Sequence, residues 1–351
     1  MTALSLVTVV HRGELPLLRL QARSLARHAA PEDVAEVLVC VNDSEERAVL
    51  RDVEGMRDAW GPHAGKLRAV GGRHLFRGRT GAAGEERRRW AAKLWRRRTS
   101  SRSFGPSGWH GHEGWWMQQA FKLAAARALT GGRVLILDAK NVLLGPLDPA
   151  AFFAPDGRAR AHLIARADHL HREWLGWTFA ALGLPGDPAA AAPLTSYRTP
   201  FAVRRDDLRA ALDWMERRTG QDVETHFSAG WPRCTEFMLL NAWAAAERRG
   251  VEAVFSPGLP EPASLHAEAD REEIDGLLDG MDGGALTLPG LHVVALARIG
   301  PKRRRRLAGI LARAGVVATA EEAEAAFAEA VAANRDRIDA RIAEKGLSAA
   351  T

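Results

Sequence analysis

Cysteine is scarce in this chain: Cys40 and Cys234 are the only two in 351 residues. Two thiols do not make a disulfide framework, and Cys40 sits in an apolar strand pattern where it reads as a small hydrophobe. Long hydrophobic runs are missing as well. No uncharged apolar stretch approaches the roughly 18–20 residues that cross a bilayer. The opening MTALSLVTVVHRG has neither a basic lead nor a small-residue cleavage site, so a secretory signal is not expected. No repeat of fixed period is present. Excess charge is also small: Lys+Arg 49 against Asp+Glu 43 leaves +6, too little at this length to call for a nucleic-acid partner. These absences lead to the expectation of a cytoplasmic protein.

What is present is globular in composition, 46% hydrophobic and 26% charged. The length suits one large α/β domain or two smaller ones. Arginine and alanine outweigh lysine, as in a high-GC bacterial source. Leu4–Val10 clusters β-branched residues and predicts a first strand; Glu14–His28 follows with Leu17, Leu18, Gln21 and Leu25 near helical spacing. Val34–Val41 predicts a second strand. Strand, helix and strand at this spacing form a βαβ unit with a right-handed crossover. A helix over Glu45–Trp60 and a short strand over Leu67–Val70 complete the first part.

The chain is organised around Arg133–Asp148, RVLILDAKNVLLGPLD. Val134–Leu137 is a continuous apolar run, as expected of a strand buried on both faces of a parallel sheet. The run stops at Asp138, and a second apolar run, Val142–Leu144, precedes Gly145-Pro146. A carboxylate at the carboxyl end of a buried strand lies where open α/β sheets bind ligands. Upstream, the helical stretch Trp115–Leu129 carries Gln118, Gln119 and Lys122. Downstream, Thr235 is a plausible N-cap with Glu236 in the first turn.

An apolar strand, Asp-x-Asp, a short apolar strand and a proline resemble the signature of GT-A nucleotide-sugar glycosyltransferases. The Gln-Gln-x-x-Lys helix resembles that of poorly characterised bacterial proteins with glycosyltransferase-like domains, and Thr235-Glu236-Phe237 their acceptor-side helix. The resemblance implies a GT-A-like, Rossmann-like, mostly parallel α/β sheet over residues 1–300 with a helical extension over 301–351. It implies transfer of a sugar from a nucleotide-diphosphate donor to a glycan or lipid-linked hydroxyl, in bacterial surface polysaccharide synthesis and with peripheral contact at the inner membrane face. His11, Arg12, Asn42 and Asp43 would lie beside the base and ribose. Gln118, Gln119, Lys122, Lys140 and Asn141 would shape the donor pocket, with Asp138 and Glu236 as catalytic carboxylates. Asp138 and His292 would be the metal ligands if Mn²⁺ or Mg²⁺ takes part. This chain departs from the pattern, because Lys140 stands in the second acidic position. An ammonium cannot bind a divalent cation but can meet a diphosphate directly, so metal-independent transfer is the matching expectation.

Plainer readings stand beside these. Asn42-Asp43-Ser44 suits a turn and helix cap, Glu236 complements a helix dipole, and His292 suits a core histidine. Gln118, Gln119 and Lys122 suit an exposed helix face, and Trp174 and Trp177 suit a core rather than a sugar platform. His110, His112 and Glu113 invite a zinc reading but lack a third spaced ligand. Two rival functions remain: a sugar-nucleotide binder without turnover, and an arginine-rich polyanion binder using residues 87–98 and 302–306. No recognised DNA- or RNA-binding motif supports the last.

Overall fold

The computed structural model describes residues 3–76, 113–165, 169–186, 193–228 and 234–347. Most of the basic stretch from Arg73 to Arg102 lies outside the described residues, as do His110, His112, Arg166–Asp168 and positions 187–192 of the Pro/Ala/Gly-rich stretch Gly183–Pro193, which reads as a linker.

Strands β1 (Leu4–Val10), β2 (Val34–Val41), β3 (Leu67–Gly71) and β4 (Arg133–Asp138) are parallel, and β5 (Phe201–Arg204) closes the edge antiparallel to β4. The order is β3-β2-β1-β4-β5. β1 is buried along its whole length, and Val134–Leu137 of β4 is fully buried. The unbroken Val134–Leu137 run thus does what a strand covered on both faces requires, and in β1 the buried Ser5 and Thr8 hydroxyls donate to Glu36 and Gln21. The fold is mixed α/β with a mostly parallel central sheet. From β1 the chain winds outward through β2 and β3, then returns to the opposite flank of β1 with β4. That reversal makes the carboxyl ends of β1 and β4 the topological switch point, where such sheets form a crevice.

Helix α1 (Leu15–His28) joins β1 to β2 and has two apolar stripes. Leu18, Ala22 and Leu25 belong to the main core, whereas Leu17 and Leu20 join a second apolar cluster containing Leu265 to Ile338. Polar side chains on α1 reach the central strand. Gln21 donates to the carbonyls of Asp138 (2.8 Å) and Asn141 (3.1 Å) while accepting from the Thr8 hydroxyl (2.8 Å). Ser24 accepts from the Leu143 N–H (3.0 Å). The turn after β4 is therefore fastened by buried side chains that satisfy otherwise orphaned backbone groups.

Several boundaries differ from the sequence expectation. The helix after β2 stops at Gly55, and a 3₁₀ run, Arg57–Lys66, follows; Gly61-Pro62 within it breaks any longer helix. Val142–Leu144 stays out of the main sheet, and its N–H groups reach Pro289 (3.0 Å) and Thr287 (2.8 Å) instead. Val251–Phe255, whose apolar residues predict a late strand, gives a 3₁₀ turn, Val251–Ala253, and a strand displaced to Phe255–Pro257. Helix Arg271–Asp282 was not anticipated, although Asp270 and Glu273 form its capping box. Thr319 and Glu322 have capping-box spacing before the Ala320–Ala333 helix; Thr319 accepts from Glu322 N–H, but the Glu322 carboxylate turns to Ala318 N–H and Arg23 instead of closing the box.

Candidate functional site

Three elements meet at the carboxyl end of β4. The register pairs Asp138 with Val9, so the carboxylate lies level with the end of β1. Helix α2 (Glu113–Ala124) packs on β1 and presents Gln118 and Lys122. Helix α3 (Glu236–Glu247) begins at Thr235, whose hydroxyl caps the Met238 N–H, and puts Glu236 in its first turn.

The Lys122 ammonium sits between two carboxylates, 2.9 Å from Asp138 Oδ1 and 2.9 Å from Glu236 Oε1. It is also 5.4 Å from the Phe237 ring centroid. Asp138 Oδ1 accepts from Gln118 Nε2 (3.2 Å), and its Oδ2 accepts from Thr199 Oγ1 (2.9 Å) and Lys140 Nζ (3.0 Å). Lys122 and Glu236 are 5% exposed at the side chain, and Asp138 14%. Burial opposes ionisation of Asp138, but the Lys122 and Lys140 ammoniums outweigh it and hold the carboxyl well below the usual range. Burial likewise disfavours charge on Lys122, yet Asp138 and Glu236 raise its pKa. Burial keeps Glu236 above its ordinary value despite Lys122. One carboxylate is thus firmly ionised while its neighbour across a shared ammonium is pushed toward holding a proton. Environments that separate two carboxyl groups in this way suit acid–base chemistry.

The remaining expected residues divide between this cluster and its frame. Gln119 is buried and donates to the Trp115 carbonyl (3.2 Å), so it does not join the carboxylates. Asn141 is fully buried and closes the turn, accepting from Asp138 N–H (2.8 Å) and donating to the Thr199 carbonyl (3.4 Å). Asn42 and Asp43 are buried after β2; Asp43 accepts from the Arg12 N–H (2.9 Å) and pairs with its guanidinium. Helix α2 is buried around most of its circumference, so Gln118, Gln119 and Lys122 are not an exposed face. Trp174 and Trp177 join an aromatic group with Trp115, Trp116 and Tyr197 beside Thr199; Trp115 is 40% exposed.

His292 caps a short helix, Val293–Arg298, with its Nδ1 accepting from Val294 N–H (3.2 Å). Nδ1 then carries no proton, and the neutral ring keeps its proton on Nε2. Burial pushes His292 down to about 3, with Lys140 next among the causes. Both oxygens of Asp138 already face ammonium groups within 3.0 Å, and His292 offers an N–H. Among the described residues no three His, Cys, Asp or Glu side chains gather as ligands. This donor set does not fit a divalent cation at Asp138, because the cation would share one carboxylate with two positive charges.

Sequence reasoning missed Thr199, Gln21 and the C-terminal Arg337, whose Nη1 lies 3.0 Å from His11 Nε2. Only folding brings them near, and none stands in a local motif. A cavity of about 600 Å³ opens elsewhere along α1, lined by Arg12, Arg19, Arg51 and Glu329 among others. It touches neither Asp138 nor Glu236, and the buried charges, not concavity, single out the candidate site.

A family of unknown function (DUF6492) matches residues 4–268. Among solved structures, the apo form of the bifunctional glycosyltransferase WbbM is similar at 10% identity over 82% of this chain, with a TM-score of 0.36. The chain spans 45% of that protein, and a likeness this distant carries no argument about fold or activity. No curated protein matches the sequence.

Proposed function

The chain belongs to the DUF6492 family, and from that premise we propose that it is a GT-A-like glycosyltransferase acting on a nucleotide-diphosphate sugar. The acceptor is a hydroxyl of a glycan or lipid-linked glycan, met in the cytoplasm or at the inner membrane face. In this reading residues 1–300 form the transferase unit and 301–351 a helical extension. The observation that carries it is the Asp138–Lys122–Glu236 bridge at the switch point of the sheet, with Lys140 on the other oxygen of Asp138.

The chemistry follows from those charges. Transfer breaks the bond between the anomeric carbon and the diphosphate, and forms one to the acceptor oxygen, whose proton must go to a base. Glu236, buried and raised in pKa, is the candidate base for an inverting displacement. Asp138, kept ionised, orients Lys122 and Lys140 and meets the donor sugar or ribose. Negative charge builds on the departing diphosphate, and preorganised ammoniums stabilise it at little reorganisation cost. Lys140 in the place of an acidic residue supports transfer without a metal.

Thermal denaturation against UDP-, GDP-, CMP- and dTDP-sugars, each with Mn²⁺ and with EDTA, tests this reading. A ligand bound only by the folded state raises Tm. We expect one nucleotide class to shift it, the shift to persist in EDTA, and Asp138→Ala to abolish it. No shift with any donor would remove the reading.

A second reading has its own support: Lys122 already neutralises Glu236, which suits a sugar-nucleotide binder without turnover. Release of nucleoside diphosphate over time separates the two, because a pure binder would shift Tm and release none.

A further inference from the structure

The loop after β1 holds a hydrogen-bond conflict. His11 Nδ1 accepts from the Gly13 N–H at 3.1 Å, and Arg337 Nη1 stands 3.0 Å from His11 Nε2. A neutral imidazole has a single lone pair for two approaching N–H groups. Whichever tautomer is present, one donor is left without an acceptor. With the backbone N–H taking Nδ1, the Nε2–H and the guanidinium N–H face each other, and an anionic oxygen between them would accept from both. Glu14 does not fill this role, since its carboxylate is 3.6 Å from Nε2, beyond hydrogen-bond distance.

The position of Arg337 is built, not incidental. Asn334 is buried where the Ala320–Ala333 helix ends and Arg335–Lys345 begins. Its amide donates to the Gly13 carbonyl (2.6 Å) and the Ala330 carbonyl (2.8 Å). A Cβ at Gly13 would come within 2.6 Å of Asn334 Oδ1, so glycine there lets the C-terminal segment seat against the β1 loop. Arg337 follows within one turn and is carried over His11.

Neighbouring cations are engaged elsewhere: Arg12 pairs with Asp43, and Arg341 with Glu268 and Glu344. Among the described residues no carboxylate pairs with Arg337.

We propose that Arg337 and His11 form a binding site for the diphosphate of the nucleotide donor, with Arg337 as the clamp delivered by the C-terminal helix. The identity of the anion rests on the glycosyltransferase reading; the convergence of donors does not. The site is therefore assembled partly by residues beyond position 268, where the family match ends. Arg337 comes from that later segment.

Calorimetric titration of the full chain with UDP, GDP, CDP, dTDP, their nucleosides and inorganic pyrophosphate tests it. Arg337→Gln should weaken the diphosphate that the wild type binds by roughly tenfold or more, the loss of a charge-assisted contact, and leave nucleoside affinity unchanged. Arg337→Lys should recover part of the loss, and Arg341→Gln should stay within about twofold of wild type, as an exposed pair would. Equal affinity of Arg337→Gln for that diphosphate overturns the clamp while leaving the glycosyltransferase reading intact. Arg337-dependent pyrophosphate binding without any nucleoside diphosphate binding keeps the anion site and removes the donor reading. Binding of neither by the wild type overturns both.

Discussion

The two ends of the central sheet each hold a carboxylate, and they are built differently. At the amino end, Glu36 Oε1 accepts from Ser5 Oγ (2.9 Å), Thr130 N (2.7 Å), Thr130 Oγ1 (3.0 Å) and Gly131 N (3.0 Å). Arg68 meets Oε2 at 3.2 Å. At the carboxyl end, Asp138 takes Lys122, Lys140, Gln118 and Thr199. Most donors to Glu36 are backbone groups or short side chains with nowhere else to go, and no second carboxylate shares them. Those around Asp138 are largely long side chains that could turn to a ligand, and one already bridges to Glu236. A fixed, self-sufficient cluster is a fastening; a charged one with transferable donors is a candidate site.

The sharpest way to break that contrast is Lys122→Met. It leaves Asp138 and Glu236 buried around a missing cation and should destabilise the fold by about 3–5 kcal/mol, read from urea unfolding. Adding Glu236→Gln should recover part of the loss, since one uncompensated charge is then gone. At Glu36 the expectation is smaller and purely structural. Glu36→Ala should cost about 1–3 kcal/mol while leaving the Tm shift by a nucleotide sugar unchanged. If it abolished that shift, the two ends would not be separable.

Acid sharpens the comparison with the smallest effect. For Glu36 burial opposes ionisation, but hydrogen bonds from Gly131, Thr130 and Ser5 outweigh it; for Asp138 the two ammoniums do so. Both carboxyls therefore sit below their unfolded values of roughly 4. Each contributes stability that is fully present above that pH and lost as pH falls through the folded-state value. Glu236 is raised and has the opposite sign, its contribution being lost as pH rises through its folded value. Unfolding free energy should thus decline below about pH 4, and Asp138→Asn and Glu36→Gln should each make that decline shallower. An unchanged acid limb in both variants would refute the assignment.

Legibility followed locality. β1 and β2 were readable to the residue because each clusters β-branched and apolar residues over a few positions. Asp138 was readable because it interrupts such a run, and Glu236 because an N-cap precedes it. The Arg271–Asp282 helix carried a legible Asp270–Glu273 capping signal that went unused. Gln21 had only the look of a core-facing helical position. Its role depends on the carbonyls of Asp138 and Asn141, more than a hundred positions away.

By itself the sequence determined the strand-forming runs, the parallel α/β character and the presence of Lys140 where a second acid was expected, since apolar periodicity and residue chemistry act over a few positions. Tertiary structure alone decided that Lys122 would bridge two carboxylates and that Thr199 would complete the Asp138 shell. It also decided that Arg337, from the far end of the chain, would stand over His11. Those pairings depend on crossovers and helix docking that bring distant segments within 3 Å, and no local pattern encodes a partner at that range.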